Sequence, residues 1–354
     1  MQTTMHIRQA IDQLERREDL TRQQSRDVME ELFSGTVPDA EITAFLVALR
    51  DKGEEAPELV GFAEVMRARA SEGLRQARVD LDALARGEPL LDTCGTGGDG
   101  RGTFNVSTAA ALVAAAAGVR VAKHGNRSIS SRCGSADVLE ALGVALDIPY
   151  QRIPECLEKI GIVFLFAPKL HLAMKHVMNA RRALKTKTVF NLLGPLTNPL
   201  GASMQLVGVY DRARTEMMAQ ALATVGTGRA FVVAGHDGID EITTTGPTQV
   251  SETNGESITT RDIVPEDFGL PRASTEALRG GDPAANAQML RQILEGERGP
   301  RRDLVLANAS AALVVAGKAA DFRQGVERAA QAVDSGAALE KLRAWVSFTQ
   351  QFAR

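Results

Sequence analysis

Apolar residues recur at three- and four-residue spacing over residues 7–14, 23–33, 40–50 and 55–70, with polar residues between them, which predicts a run of amphipathic helices. Thr21 and Asp39 stand where a side chain would cap a first turn, and Gly35 and Gly53 where helices would stop. Leu32, Phe33, Ile42, Phe45, Leu46 and Leu49 form stripes that suit a core or a subunit contact better than a ligand site. Residues 77–88 read as a polar connection. Beyond them the period changes. Short apolar runs ending at Leu91 and covering 118–122 and 230–234 read as buried strands, and an alanine-rich helix is predicted over 109–117. Residues 253–285, rich in Gly, Pro, Asp and Thr, predict loops with short strands, and 285–348 return to helices. The pattern implies an α/β protein. A small N-terminal all-helical domain (1–74) precedes a larger α/β domain (75–354) with a mostly parallel sheet flanked by helices.

The chemistry concentrates at the strand-to-helix switches. Residues 92–108, DTCGTGGDGRGTFNVST, place Gly95, Gly97, Gly98, Gly100 and Gly102 around Asp99, ahead of Asn105, Ser107 and Thr108 at a helix start. Glycines let the backbone come close to a ligand, and the unpaired first N–H groups of a helix attract anions. A tight turn would use some of the same glycines, and the spacing is neither that of a P-loop nor that of a dinucleotide fold. The second strand runs into KHGNRSISS at residues 123–131. There Lys123 and Arg127 can donate charge-assisted bonds to phosphate, with Ser130, Ser131 and Ser135 as neutral donors. His124 fits a structural hydrogen-bonding role equally well. After the third strand come Asp240 and Glu241, read as pointing to different sides so that each could hold a hard cation; alone, they would read as a solvated acidic turn.

Composition changes this picture little. The chain has 354 residues, enough for a large core, and a formal charge of -3, which gives no global drive toward nucleic acid or a membrane. Cys94, Cys133 and Cys156 lack metal-like spacing and fit a reducing cytoplasm, and the charged start has no signal-peptide core. A soluble cytoplasmic protein is expected.

Taken in order, GTGGD (95–99), NVST (105–108), KHGNR (123–127), GSAD (134–137), FNLLGPLTNP (190–199) and DE (240–241) followed by TGPT closely resemble the anthranilate phosphoribosyltransferases. The resemblance implies transfer of a phosphoribosyl group from phosphoribosyl pyrophosphate (PRPP) to the amine of anthranilate, in tryptophan biosynthesis. It implies that Gly95, Gly98, Asp99, Thr103, Asn105, Val106, Ser107, Thr108, Lys123, His124, Gly125, Asn126, Arg127, Ser128, Ile129, Ser130, Ser131 and Ser135 line the PRPP site. Ser107, Asp240 and Glu241 match magnesium ligands, with two ions per subunit, and Gly95, Asn126, Arg181, His124 and His171 match anthranilate contacts, Arg182 being a weaker candidate. Arg181 also makes sense by itself, because a guanidinium fork meets a carboxylate with two parallel bonds. No covalent catalyst is implied; Lys123 and Arg181 position and neutralise charge. The resemblance further implies a homodimer through the helical domain, which residues 169–188 join, and a cleft between the domains.

The chain departs from the family pattern at Leu172, Lys185 and Lys187, where proline, glycine and arginine are usual. These bear on the aromatic acceptor and leave the PRPP motifs whole. Another aromatic acceptor, or a pyrimidine nucleoside phosphorylase-like enzyme, is the alternative; the latter would not be expected to carry the acidic pair or Arg181. A non-catalytic nucleic-acid-binding relative would have eroded GTGGD and KHGNR and a basic surface.

Overall fold

The computed structural model of the chain describes residues 4–128 and 132–353. The strands form one sheet: β1 Leu91–Gly95, β2 Val121–Gly125, β3 Ile162–Phe166, β4 Met204–Gly208, β5 Arg229–Gly235, and the more polar β6 Thr248–Thr253 and β7 Ile258–Ile263. Their order is β3-β2-β1-β4-β5-β6-β7; β3 through β5 run parallel, and β6 and β7 form an antiparallel edge. The chain moves outward from β1 to β3, then returns to the other side of β1 as β4. Loops leaving β1 and β4 therefore diverge, and the crevice between them lies at the carboxyl ends, where open α/β sheets take ligands.

Side chains alternate between two cores. Phe231 and Val233 of β5 join the core containing the alanine-rich helix Val106–Ala116 and helix Pro300–Val315, whose small residues let the two helices pack together. Ala230, Val232 and Ala234 join the other core, which is continuous with the N-terminal helices Ile7–Glu15, Arg22–Leu32, Asp39–Lys52 and Ala56–Gln76. Leu32, Phe33, Ile42, Phe45, Leu46 and Leu49 are all buried in it. Between β3 and β4, helix Met178–Leu184 packs on Asp39–Lys52, and helix Val189–Leu193 packs on Ala56–Gln76.

Several boundaries differ from the sequence expectation. Thr21 does cap its helix, accepting from Gln24 N at 3.2 Å while Gln24 Oε1 accepts from Thr21 N at 2.8 Å. Asp39 is instead the first helical residue, behind Pro38, where its charge suits the helix N-terminus without capping it. The connection at 77–88 contains helix Leu81–Arg86, capped by Asp80; so short a helix, anchored by buried Leu84, shows no apolar period to read. β1 continues to Gly95, and β2 covers Val121–Gly125, so Lys123 and His124 are strand residues with buried side chains, not loop residues. Their polarity hid the strand.

Helix Met178–Leu184 ends at Lys185 with φ 49° and ψ 28°. This left-handed conformation costs a residue with a side chain roughly 1–2 kcal/mol. Lys185→Gly is expected to raise the unfolding free energy by about 1 kcal/mol, seen as a higher urea midpoint at unchanged slope.

Candidate active site

Gly95 and Gly208 end the two strands that flank the crevice, and the loop carrying Asp240 lies directly on both. A Cβ on Gly95 would stand 2.5 Å from Asp240 Oδ2, and one on Gly208 would run into the Asp240 carbonyl. Only glycine lets the acidic loop reach the switch point. Gly97, Gly98, Gly100 and Gly102 all have φ between 66° and 74°, so the loop after β1 turns where other residues would be strained. Gly97 N donates to Asp240 Oδ2 at 2.7 Å, and Ser107 N, in the first turn of helix Val106–Ala116, donates to Glu241 Oε1 at 3.1 Å. The expected strand-end position of the pair is corrected: Asp240 and Glu241 lie in the loop after β5, which ends at Gly235.

The acidic pair is electrostatically loaded. Both side chains keep some surface toward the crevice, with protein around them otherwise. Burial raises the Asp240 carboxyl above the usual range and Asp99 raises it further; burial, then Asp240, does the same to Glu241. Asp99 Oδ2 is enclosed without a hydrogen-bond partner among the described residues. A cluster of this kind lacks positive charge.

Lys123 lies beneath, its Nζ donating to Thr93 O and, at 3.2 Å, to Ser107 Oγ. Beside it Asp92 accepts from His124 N at 3.1 Å and from Asn198 Nδ2 at 2.9 Å. Burial pushes the Asp92 carboxyl up to about 6, with Lys123 and these bonds pulling it back. Asn198 also donates to Ala122 O at 2.8 Å, tying β1 to β2 through the FNLLGPLTNP segment. Asp92 and Asn198 were not expected to have a role, although both belong to quoted stretches; their buried polarity was the available signal.

A cavity of about 300 Å³ joins these parts. Among the expected residues it is lined by Gly95, Gly98, Asp99, Thr103, Asn105, Ser107, Lys123, His124, Gly125, Asn126, Arg127, Ser128, Ser135, Arg181, Asp240 and Glu241. Val106 and Thr108 turn into the helix core, and Ile129, Ser130 and Ser131 lie outside the described residues. His171 stands behind His124, their Nε2 atoms 3.2 Å apart, while His124 Nδ1 lies 3.2 Å from Gly194 O. Burial, and for His124 also its neighbour His171, hold these imidazoles down at about 3 and about 4, so both are neutral at pH 7. Arg127 reaches the cavity edge with its guanidinium already on Asp137 at 3.0 Å and on Glu140. Phe190, Asn191, Gly194 and Pro195, to which no role was given, complete the wall.

At the far end lies Arg181. Its guanidinium is 3.9 Å from Met178 Sδ and 5.0 Å from the Phe190 ring centre, and it has no salt bridge among the described residues. Burial lowers it to about 10. One cavity thus holds an acidic, glycine-lined end short of cations and a guanidinium short of an anion. A second hollow, of about 600 Å³, lies where the strands begin; its Arg120 and Lys341 already donate to the carbonyls of Glu88 and Ile160.

Fold and site define an enzyme of the α/β type, with a glycine loop and an acidic pair at the sheet's switch point and a guanidinium in the same cavity. The glycosyl transferase family's a/b domain matches residues 87–339, and its helical bundle domain residues 8–70. The anthranilate phosphoribosyltransferase of Syntrophobacter fumaroxidans is 49% identical over 345 residues, 98% of this chain and 99% of that protein. The crystal structure of the Thermus thermophilus anthranilate phosphoribosyltransferase superposes with a TM-score of 0.86 at 42% identity, covering 96% of this chain and 99% of that one. The Saccharomyces cerevisiae enzyme in complex with PRPP and Mg gives 0.84 at 26% identity, covering 98% of each chain. The chain belongs to the anthranilate phosphoribosyltransferase family.

Proposed function

We propose that the protein transfers the phosphoribosyl group of PRPP to the amine of anthranilate, giving N-(5-phosphoribosyl)anthranilate and pyrophosphate. The observation that carries this reading is the presence, in one cavity, of the Arg181 guanidinium, without a salt bridge among the described residues, together with the glycine loop and acidic pair. The neutral amine attacks C1 of the ribose; the C1–N bond forms as the C1–O bond breaks. Pyrophosphate leaves with the bonding electrons, and the nitrogen sheds one proton. An aromatic amine is nucleophilic when neutral, so the residues need only position and neutralise. Arg181 takes the carboxylate, with Gly95, Asn126, His124 and, behind it, His171 around the ring. Gly95, Gly98, Asp99 and Thr103 of the glycine loop, the helix start from Asn105 to Thr108, the residues from Lys123 to Ser131, and Ser135 hold PRPP.

The donor set fits magnesium. Asp240, Glu241 and Ser107 Oγ are hard oxygens, and the raised carboxyls of the pair are what an added cation would lower. Among the described residues no three His, Cys, Asp or Glu side chains form a cage. Magnesium commonly takes one or two carboxylates, as the acidic pair offers, and leaves its other positions to water and phosphates. Two ions per subunit, held by Asp240 and Glu241 with Ser107, belong to the same reading. When bound, the metal supplies positive charge to the pyrophosphate oxygens.

The cleft is read as lying between the unit of 1–74 with 169–188 and the unit of 75–354, and the protein as a cytoplasmic homodimer joined through the first. The packing of Met178–Leu184 on Asp39–Lys52 supports the former. Among the described residues no helix is long and apolar enough to cross a membrane.

Loss of anthranilate fluorescence tests the reaction, with protein, PRPP and magnesium omitted in turn. Turnover needing all three is expected. PRPP binding without turnover would overturn anthranilate as acceptor and direct the search to other aromatic amines.

A further inference from the structure

Lys187 is fixed from both sides. It follows the left-handed turn at Lys185 and precedes the capped start of helix Val189–Leu193, where Thr188 N donates to Asn191 Oδ1 at 3.0 Å. The side chain leads to the glycine loop: its Cε lies 3.3 Å from where a Cβ on Gly98 would stand, and its Nζ 3.5 Å from the centre of the Tyr210 ring. Tyr210 is also held, its N–H donating to Thr96 Oγ1 at 3.2 Å and its ring lying 5.8 Å from the Arg214 guanidinium. Arg214 has carboxylate partners, Glu54 at 2.7 Å and Asp211 at 3.7 Å, whereas Lys187 forms no salt bridge among the described residues. Asp99, Asp211 and Asp240 are close enough to act on its charge, and two of them stand in the proposed metal and pyrophosphate end.

We infer that Lys187, held on the Tyr210 ring over Gly98, is a second positioning cation for the pyrophosphate end of PRPP, complementing Lys123. This rests on the proposed function and moves the residue from the aromatic-acid side, where the family resemblance places its departure from arginine, to the phosphate side. A phosphate group also takes a compact ammonium, as a point charge, so lysine can serve there, whereas a carboxylate recognised by two parallel bonds would need arginine. The ring face positions the cation without neutralising it.

Steady-state kinetics with each substrate varied test this. Lys187→Ala is expected to lower kcat/KM for PRPP on the order of 10²-fold, with the anthranilate KM within about two-fold. Lys187→Arg is expected to recover most of the loss, and Tyr210→Leu to reproduce part of it where Tyr210→Phe, which keeps the ring, does not. A defect confined to the anthranilate KM, or none, would overturn the inference; thermal melting establishes that each variant is folded. Calorimetric binding of PRPP with magnesium, without anthranilate, separates this inference from the acceptor reading. Should the parent protein bind PRPP and not use anthranilate, the acceptor reading falls, and Lys187→Ala must still weaken PRPP binding by about ten-fold or more. Should the parent not bind PRPP, both fall.

Discussion

Asp240→Asn combined with Glu241→Gln is expected to lower turnover by at least about 10³-fold while making the metal-free protein more resistant to heat. The two effects have one cause. Both carboxyls are raised by burial and by neighbouring negative charge, Asp99 acting on Asp240 and Asp240 on Glu241. A carboxyl whose folded value exceeds its unfolded one binds its proton more tightly in the folded state. The metal-free protein therefore loses stability as pH rises from the ordinary carboxylate range through the raised values, and the full penalty remains above them. Its thermal midpoint is expected to fall across that interval, and the double variant should lose most of this slope. Magnesium reverses the penalty in the parent, since a ligand at 100 times its dissociation constant adds about 2.7 kcal/mol; the variant's midpoint should stay unmoved. Calorimetric melts with and without magnesium, alongside turnover, decide the matter. A parent midpoint indifferent to magnesium, or variant turnover within about ten-fold of the parent, would remove the metal assignment.

The glycine loop and the alanine helix were legible because each announces itself locally, one by density of positive-φ residues and the other by small apolar runs. Lys123 and His124 were legible as chemistry and misread as structure. A lysine inside a strand interrupts the apolar run that marks a strand, and only the bonds to Thr93 O and Ser107 Oγ show why it is tolerated there. Asp92 and Asn198 were given no role, because each is a partner of the other, 106 residues away in the chain. What periodicity could not reach is the convergence of loops. That Asp240 rests on Gly95 and Gly208 follows from the return of the chain to β4 beside β1, a topological fact with no local signature. The helix Leu81–Arg86 escaped for a simpler reason: six residues are too few for a period.

Arg181→Ala is expected to raise the anthranilate KM by roughly 10- to 100-fold, the 1.5–3 kcal/mol of a hydrogen bond to a charged group, and to leave the PRPP KM nearly unchanged. Its guanidinium is mostly buried, is lowered by that burial alone, and meets a thioether and an aromatic face where a carboxylate would be usual. A mostly buried cation with no salt bridge among the described residues adds little to the fold, so its removal should not lower the thermal midpoint of the free protein, and the two readouts move independently. Arg181→Lys keeps charge without the fork and should fall between parent and alanine variant. The sharper control varies the ligand. Aniline has the attacking amine and no carboxylate, so the parent's preference for anthranilate over aniline measures the anion's contribution. In Arg181→Ala that preference should shrink by the same factor as the KM rises, because both changes delete one contact from opposite sides. A preference that survives the substitution would place the carboxylate elsewhere in the cavity, and the assignment of Arg181 would fall with it.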